Sequence, residues 1–96
     1  MVQDRNPEYF LAIASEKSIS KAAERLHISQ PYLSQYVIHL EKEFGVRLLD
    51  RTKSPLALTA AGKVYANYLE DSSQLYEQLL QDFTRLTASR RQTLRV

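Results

Sequence analysis

A mainly α-helical domain carrying one small hairpin follows from three features of this 96-residue chain. It has only two glycines and three prolines, where average usage of about 7% and about 5% would give roughly seven and five. A barrel or sandwich of many short strands would lack its turn-makers. Apolar residues recur every three to four positions over most of the length, which is the period of a helix face. The period breaks between Leu48 and Thr59, where short alternating stretches flank a polar tip containing Pro55. With 44% apolar and 25% charged residues, the composition is that of a folded globular chain.

Asn6 followed by Pro7 reads as an N-cap and a proline at the first helical position, where a missing N–H costs nothing. Phe10, Ile13 and Ala14 then form the stripe of a short first helix ending near Glu16. Ser20 is a candidate cap for a second helix with Ala22, Ala23 and Leu26 inside, the small alanines admitting a close neighbour. His27, Ile28 and Ser29 interrupt it. Ser29 caps a third helix, Pro31 sits in its first turn, and Leu33, Val37, Leu40 and Phe44 form its buried stripe. Gly45 stops it, being free to take the left-handed conformation. Two helices across a three-residue turn make a helix-turn-helix. The hairpin after it, tipped by Asp50 to Pro55, is a wing.

Thr59 caps the last and longest helix, expected over 60–88. Its apolar rows include Tyr65, Tyr68, Leu69, Leu75, Tyr76, Leu79 and Phe83. About 28 residues at 1.5 Å each span about 42 Å, so this helix projects beyond the domain. A second copy is the expected cover for these seven residues; the alternative is an intramolecular core. From Ser89 the pattern begins to alternate. The chain therefore divides into a winged helix-turn-helix over 1–58, a linker and dimerisation helix over 59–88, and the start of a hinge over 89–96.

Net charge is +2 and the sequence pI near 9.0, too little on its own to name a partner. The distribution says more. No lysine or arginine lies between Arg25 and Lys42. Arg47, Arg51, Lys53 and Lys63 gather around the wing against Asp50, while residues 65–84 hold Glu70, Asp71, Glu77 and Asp82 and no base. A basic half that docks phosphates, separated from an acidic helix that dimerises, fits a nucleic-acid-binding domain. The exposed face of the third helix carries Pro31, Ser34, Gln35 and Ile38, with Gln30 leading and Tyr32 and His39 flanking. Amides, hydroxyls and apolar atoms are the groups that read base edges. Ile38 is open between a thymine methyl contact and a contact with a neighbouring helix.

These residues also carry a family resemblance. The run from Ser20 to Ser34 (SKAAERLHISQPYLS), then Leu40-Glu41, Phe44-Gly45, Leu48-Leu49-Asp50-Arg51 and Leu58-Thr59-Ala60-Ala61-Gly62, resembles the N-terminal domain of LysR-type transcriptional regulators over about residues 7–88. The resemblance implies sequence-specific binding of double-stranded promoter or operator DNA, with the recognition helix, 30–44, in the major groove. It also implies a homodimer whose linker helices pair antiparallel, two such dimers assembling on a promoter in the full-length protein. A small-molecule effector is implied for a C-terminal domain, with no cofactor in this one. By position, Gln30, Pro31, Tyr32, Ser34 and Gln35 are the expected base contacts, and Ser29, Arg51, Lys53 and Thr59 the phosphate contacts. Ser29 is first of all a cap. The chain departs from the family in placing Lys17 where glycine is frequent and in a wing, Lys53-Ser54-Pro55-Leu56-Ala57, poor in arginine.

The alternative reading is a winged-helix and coiled-coil module that binds protein and no DNA. An enzyme is not expected: neither Ser34 nor His39 has an orienting acid, no glycine-rich phosphate loop exists, and no catalytic residue is assigned. Without cysteine, His27 and His39 do not make a metal site. No apolar run reaches the roughly 18 residues of a membrane span and no signal-peptide core leads the chain, so a soluble, cytoplasmic protein without membrane association is expected. Gly62, in the first turn of the last helix, is either tolerated or required because a side chain there would strike the body of the domain; the resemblance favours the second.

Overall fold

The computed structural model describes the backbone of residues 4–94 and the side chains of residues 4–88. Its order is α1 (Pro7–Glu16), α2 (Ile19–Leu26), α3 (Gln30–Phe44), β1 (Leu49–Asp50), β2 (Ala57–Leu58) and α4 (Ala60–Leu94). The two strands pair antiparallel, Leu49 opposite Leu58 and Asp50 opposite Ala57. A mainly helical winged helix-turn-helix with a long final helix is the observed architecture.

Each of the first three helices ends on a left-handed residue: Lys17 (φ 54), His27 (φ 59) and Gly45 (φ 73). Their amides return to the last turn, that of Lys17 to Ile13 O at 2.8 Å and that of Gly45 to Glu41 O at 2.9 Å, so orphan carbonyls are satisfied as the chain reverses. The helix starts are equally determined. Ser29 Oγ accepts from Tyr32 N at 3.2 Å. For α2 the cap is Ser18, whose Oγ accepts from Lys21 N at 3.1 Å, and not Ser20. Ser18 has the extended backbone of a cap, whereas Ser20 already lies inside the helix, its Oγ beside that of Ser18. Asn6 precedes α1 without a side-chain cap bond.

The core is built where the three short helices meet the foot of α4. Phe10, Ile13, Leu33, Val37 and Leu48 are almost wholly buried, and Ala22 and Ala23 let α2 approach. Phe44, the last position of the expected α3 stripe, is instead 37% exposed, its ring set edge-on to Tyr65 at 5.1 Å. It lies where the core ends and an open groove begins.

One residue ties the wing to both flanking helices. Glu41 of α3, buried among apolar residues, accepts from Leu48 N at 2.8 Å and Leu49 N at 3.3 Å. Leu48 O accepts from Thr59 N at 3.0 Å. Thr59 Oγ1 donates to Arg47 O at 2.6 Å and accepts from Gly62 N at 3.0 Å, capping α4.

Helix α4 runs to Leu94, beyond the end expected at Ala88. No glycine or proline lies between 89 and 94, and Arg90, Arg91, Gln92 and Leu94 are good helix formers. A brief alternation with nothing to terminate the preceding helix does not make a strand; residues 95–96 of that expected segment lie outside the described ones. At 35 residues the helix is about 52 Å long.

Gly62 is required. A Cβ there would overlap the Leu48 carbonyl oxygen and meet Leu48 C at 3.1 Å and Leu58 Cβ at 3.2 Å. Gly62→Ala should therefore destabilise the domain although alanine favours helix by about 1 kcal/mol. Overpacking against backbone costs about 1 to 3 kcal/mol, and each net kcal/mol lowers Tm by about 4 to 8 °C in a domain of this size. Thermal melts of the two proteins measure it; an unchanged or higher Tm would contradict the fit.

Candidate nucleic-acid interface

Burial of Leu33, Val37, Leu40 and Glu41 fixes which side of α3 faces outward. On that side Gln30, Pro31 and Gln35 are exposed, and Ser34 and Ile38 are half-buried. Tyr32 is exposed but not free-standing: its ring meets Tyr9 of α1 edge-on, 6.3 Å between centroids. Four of the five expected base-reading residues thus form one surface at the N-terminal half of α3, and Tyr32 borders it. Ile38 lies beside Lys42, Val46 and Arg47 in a shallow depression next to the loop after α3.

The groups expected at phosphates are placed unequally. Ser29 is exposed; its oxygen is used by the cap, which leaves its proton to donate outward. Thr59 is half-buried and uses its hydroxyl proton on Arg47 O. Arg51 reaches Glu41 Oε1 with Nη1 at 3.5 Å while its side chain stays 36% exposed. A guanidinium has five N–H donors, so this pair steers the group without exhausting it. Lys53 is exposed on the wing tip. Asp50 subtracts charge there: the hydroxyl and amide of Thr52 bond its Oδ1 at 2.5 and 3.0 Å, and with Lys53 nearby they hold its carboxyl below the usual range.

The residues expected at a dimer contact separate into two groups. Tyr65 and Leu69 belong to the core of the single chain, buried against Phe10 and Phe44 among others. Tyr68, Leu75, Tyr76, Leu79 and Phe83 are exposed, together with Val64, Leu80 and Leu86. An intramolecular core does not absorb them. Beside them opens an apolar groove of about 930 Å³ between the end of α3, the loop after it and α4, lined by Phe44, Val46, Val64, Tyr68, Leu69 and Tyr76 among others.

Two carboxylates matter that the sequence reading did not single out. Glu41 follows Val37 by four residues, so it lies on the buried stripe, and a lone charge on an apolar face was the available signal. Asp4 offered none. Its Oδ2 accepts from Tyr36 OH at 2.6 Å and from Tyr65 OH at 2.5 Å, and Tyr36 OH also lies 3.2 Å from Asn6 O. The segment before α1 is thereby pinned to the recognition helix and to α4. Burial first, then donation to Asp4, raises the pKa of both phenols.

A capped recognition helix behind a tight turn, a hairpin beside it and a long helix leaving the body define a winged helix-turn-helix of the kind found in bacterial regulators. The chain matches "Bacterial regulatory helix-turn-helix protein, lysR family" over residues 5–63, and it belongs to that family. It is 50% identical over 64 residues to the HTH-type transcriptional regulator AlsR of Bacillus subtilis, covering 67% of this chain and 21% of AlsR. Against the regulator BenM of Acinetobacter baylyi it is 35% identical over 92 residues, 96% of this chain and 30% of BenM. The crystal structure of the BenM DNA-binding domain with benA site 1 DNA superposes with a TM-score of 0.80 at 33% identity, covering 88% of this chain and 99% of that one. The chain thus spans between about a fifth and a third of the full-length relatives it matches. Among the described residues no helix is long and apolar enough to cross a membrane.

The Asp4 contacts give a pH dependence. In the unfolded chain both phenols ionise at about 10 and in the folded protein above it, so the stability they supply is complete below that pH and is lost as pH rises past it. Urea midpoints should fall steeply above about pH 10, and less steeply in Tyr36→Phe. Parallel curves for the two proteins would remove Tyr36 from the account.

Proposed function

We propose that this chain is the DNA-binding portion of a sequence-specific, dimeric transcriptional regulator, with α3 in the major groove of a promoter or operator. The observation that carries it is the outward face of α3. Gln30, Pro31, Ser34 and Gln35 lie together on a helix whose other side is locked in the core, and a domain of the same fold was crystallised on DNA. Glutamine amides offer adenine a paired donor and acceptor, serine a single bond to either, and proline an apolar contact. Tyr32 reads from the border. Ser29, Arg51, Lys53 and Thr59 supply phosphate contacts, Arg51 oriented by Glu41 and Ser29 together with the amides at the helix start. The family match favours this reading over a protein-binding module without DNA.

Dimerisation is assigned to the exposed part of α4. Tyr68, Leu75, Tyr76, Leu79 and Phe83 present a contiguous apolar strip of the sort a lone soluble domain does not leave open, and the groove beside Phe44 and Val46 continues it. Tyr65 and Leu69 support that strip from beneath. No catalytic role and no cofactor are assigned to this region. A small-molecule effector is assigned to a further domain of the full-length protein, and the cytoplasm is the expected location.

Two experiments test the reading. Gln30→Ala and Gln35→Ala should each relax base preference, by about 1 to 3 kcal/mol if the contact is bidentate. Arg51→Ala should weaken all sequences alike and flatten the salt dependence. Equal losses on specific and random DNA for the glutamine variants would refute base reading. Replacing Leu75 and Leu79 by glutamate should convert dimers to monomers in sedimentation; dimers that persist would place the contact elsewhere.

A further inference from the structure

Between the wing, α1 and the start of α4 lies a cavity of about 350 Å³, of whose lining residues only Lys53 is among the contacts assigned above. Its floor is apolar, formed by Ile13 of α1 with Leu56 and Leu58 of the wing, and its lysines come from three different elements. Lys17 stands in the turn between α1 and α2, Lys53 at the wing tip and Lys63 in the first turn of α4. None of its lining residues is acidic, and all three lysines are exposed. Lys17 holds a left-handed backbone, φ 54, a conformation that glycine takes without steric cost.

Three lysines lining one cavity without an acidic residue among its lining make it a site that attracts an anion. The apolar floor adds a second requirement, since a fully hydrated ion gains nothing from Ile13 and Leu56. A sugar-phosphate unit satisfies both, its oxygens toward the ammonium groups and its ribose carbons against the floor. Continuity points to the same occupant. Lys17 immediately precedes Ser18, the cap of the first helix of the helix-turn-helix, and Lys53 lies on the hairpin flanking α3.

We propose that Lys17 and Lys63, with Lys53, form a backbone clamp for one phosphate-deoxyribose unit of the DNA flanking each half-site. This rests on the DNA-binding reading above and adds two phosphate-binding residues to it. The clamp carries no base information. It lengthens the footprint beyond the bases that α3 can reach, and it does so with lysines and a hydrophobic seat where the wing is poor in arginine.

The test replaces single phosphates of a selected duplex, one by one, with neutral methylphosphonate and measures affinity of the 96-residue chain and its Lys17→Gln/Lys63→Gln variant. Lys42→Gln, which removes a positive charge outside the cavity, is the control. One substituted position outside the bases read by α3 should weaken the wild type and the control several-fold and leave the double variant unchanged. The slope of log K against log salt should become shallower by about one in the double variant. A methylphosphonate profile identical in all three proteins overturns the clamp while leaving the base-reading face intact. Absence of any DNA binding by the wild type overturns the clamp and the function together. If Lys17 and Lys63 shift in NMR spectra with phosphate or acetate but not with duplex, the cavity belongs to a small anion and the clamp is wrong. A double variant with an altered melting curve is replaced by Lys63→Gln alone, which must then lose the same position.

Discussion

The backbone of Leu48 is held from two sides, and the geometry of the domain depends on it. Its N–H is taken by the buried Glu41 carboxylate of α3 and its carbonyl by the Thr59 amide at the foot of α4. Gly62 closes on the same carbonyl. A carboxylate buried this way is favourable only while its hydrogen bonds are made; leaving a buried polar group unsatisfied costs about 1 to 3 kcal/mol, and more when the group is charged. Because one residue joins the recognition helix, the wing and the long helix, none of the three can shift without breaking a buried bond. The surface that α3 offers is therefore pre-organised.

Much of this fold was legible in the sequence because its punctuation is local. Ser29, Pro31 and Gly45 bracket the recognition helix by chemistry that acts within one turn, and alternation around Pro55 marks the wing. The errors have equally local causes. Ser18 and Ser20 are both capable caps, and only backbone conformation selects Ser18. The end of α4 was read from a pattern of a few residues, although no breaker stood there. What could not be read were contacts between residues far apart in the chain: Asp4 with Tyr36 and Tyr65, and the shared burial that takes Tyr65 and Leu69 into the core. A helix wheel places an apolar residue on a face without saying whether the same chain covers that face.

Electrostatics divides the molecule more finely than a net charge of +2 suggests. Around the wing, Arg51 is partly compensated by Glu41 and Lys53 by Asp50, so neither contributes a full free charge. Lys17 and Lys63 have no such partner among the described contacts of the cavity they share with Lys53. The positive potential is thus displaced from the wing edge toward the seam between wing, α1 and α4. Residues 65–84, without a base, keep the exposed strip of α4 from competing for phosphate.

Helix α4 also has the properties of a ruler. If two copies pair along it, the distance and rotation between their recognition surfaces are set by how many residues lie between the pairing strip and the Leu48 junction. Each residue added there would advance the strip by about 1.5 Å and turn it by about 100°. One extra residue would put the two reading heads out of phase with the turn of the double helix. Seven would nearly restore the facing but separate the heads. In such a pair the spacing of bases that can be read together is written in the length of a helix that touches none of them.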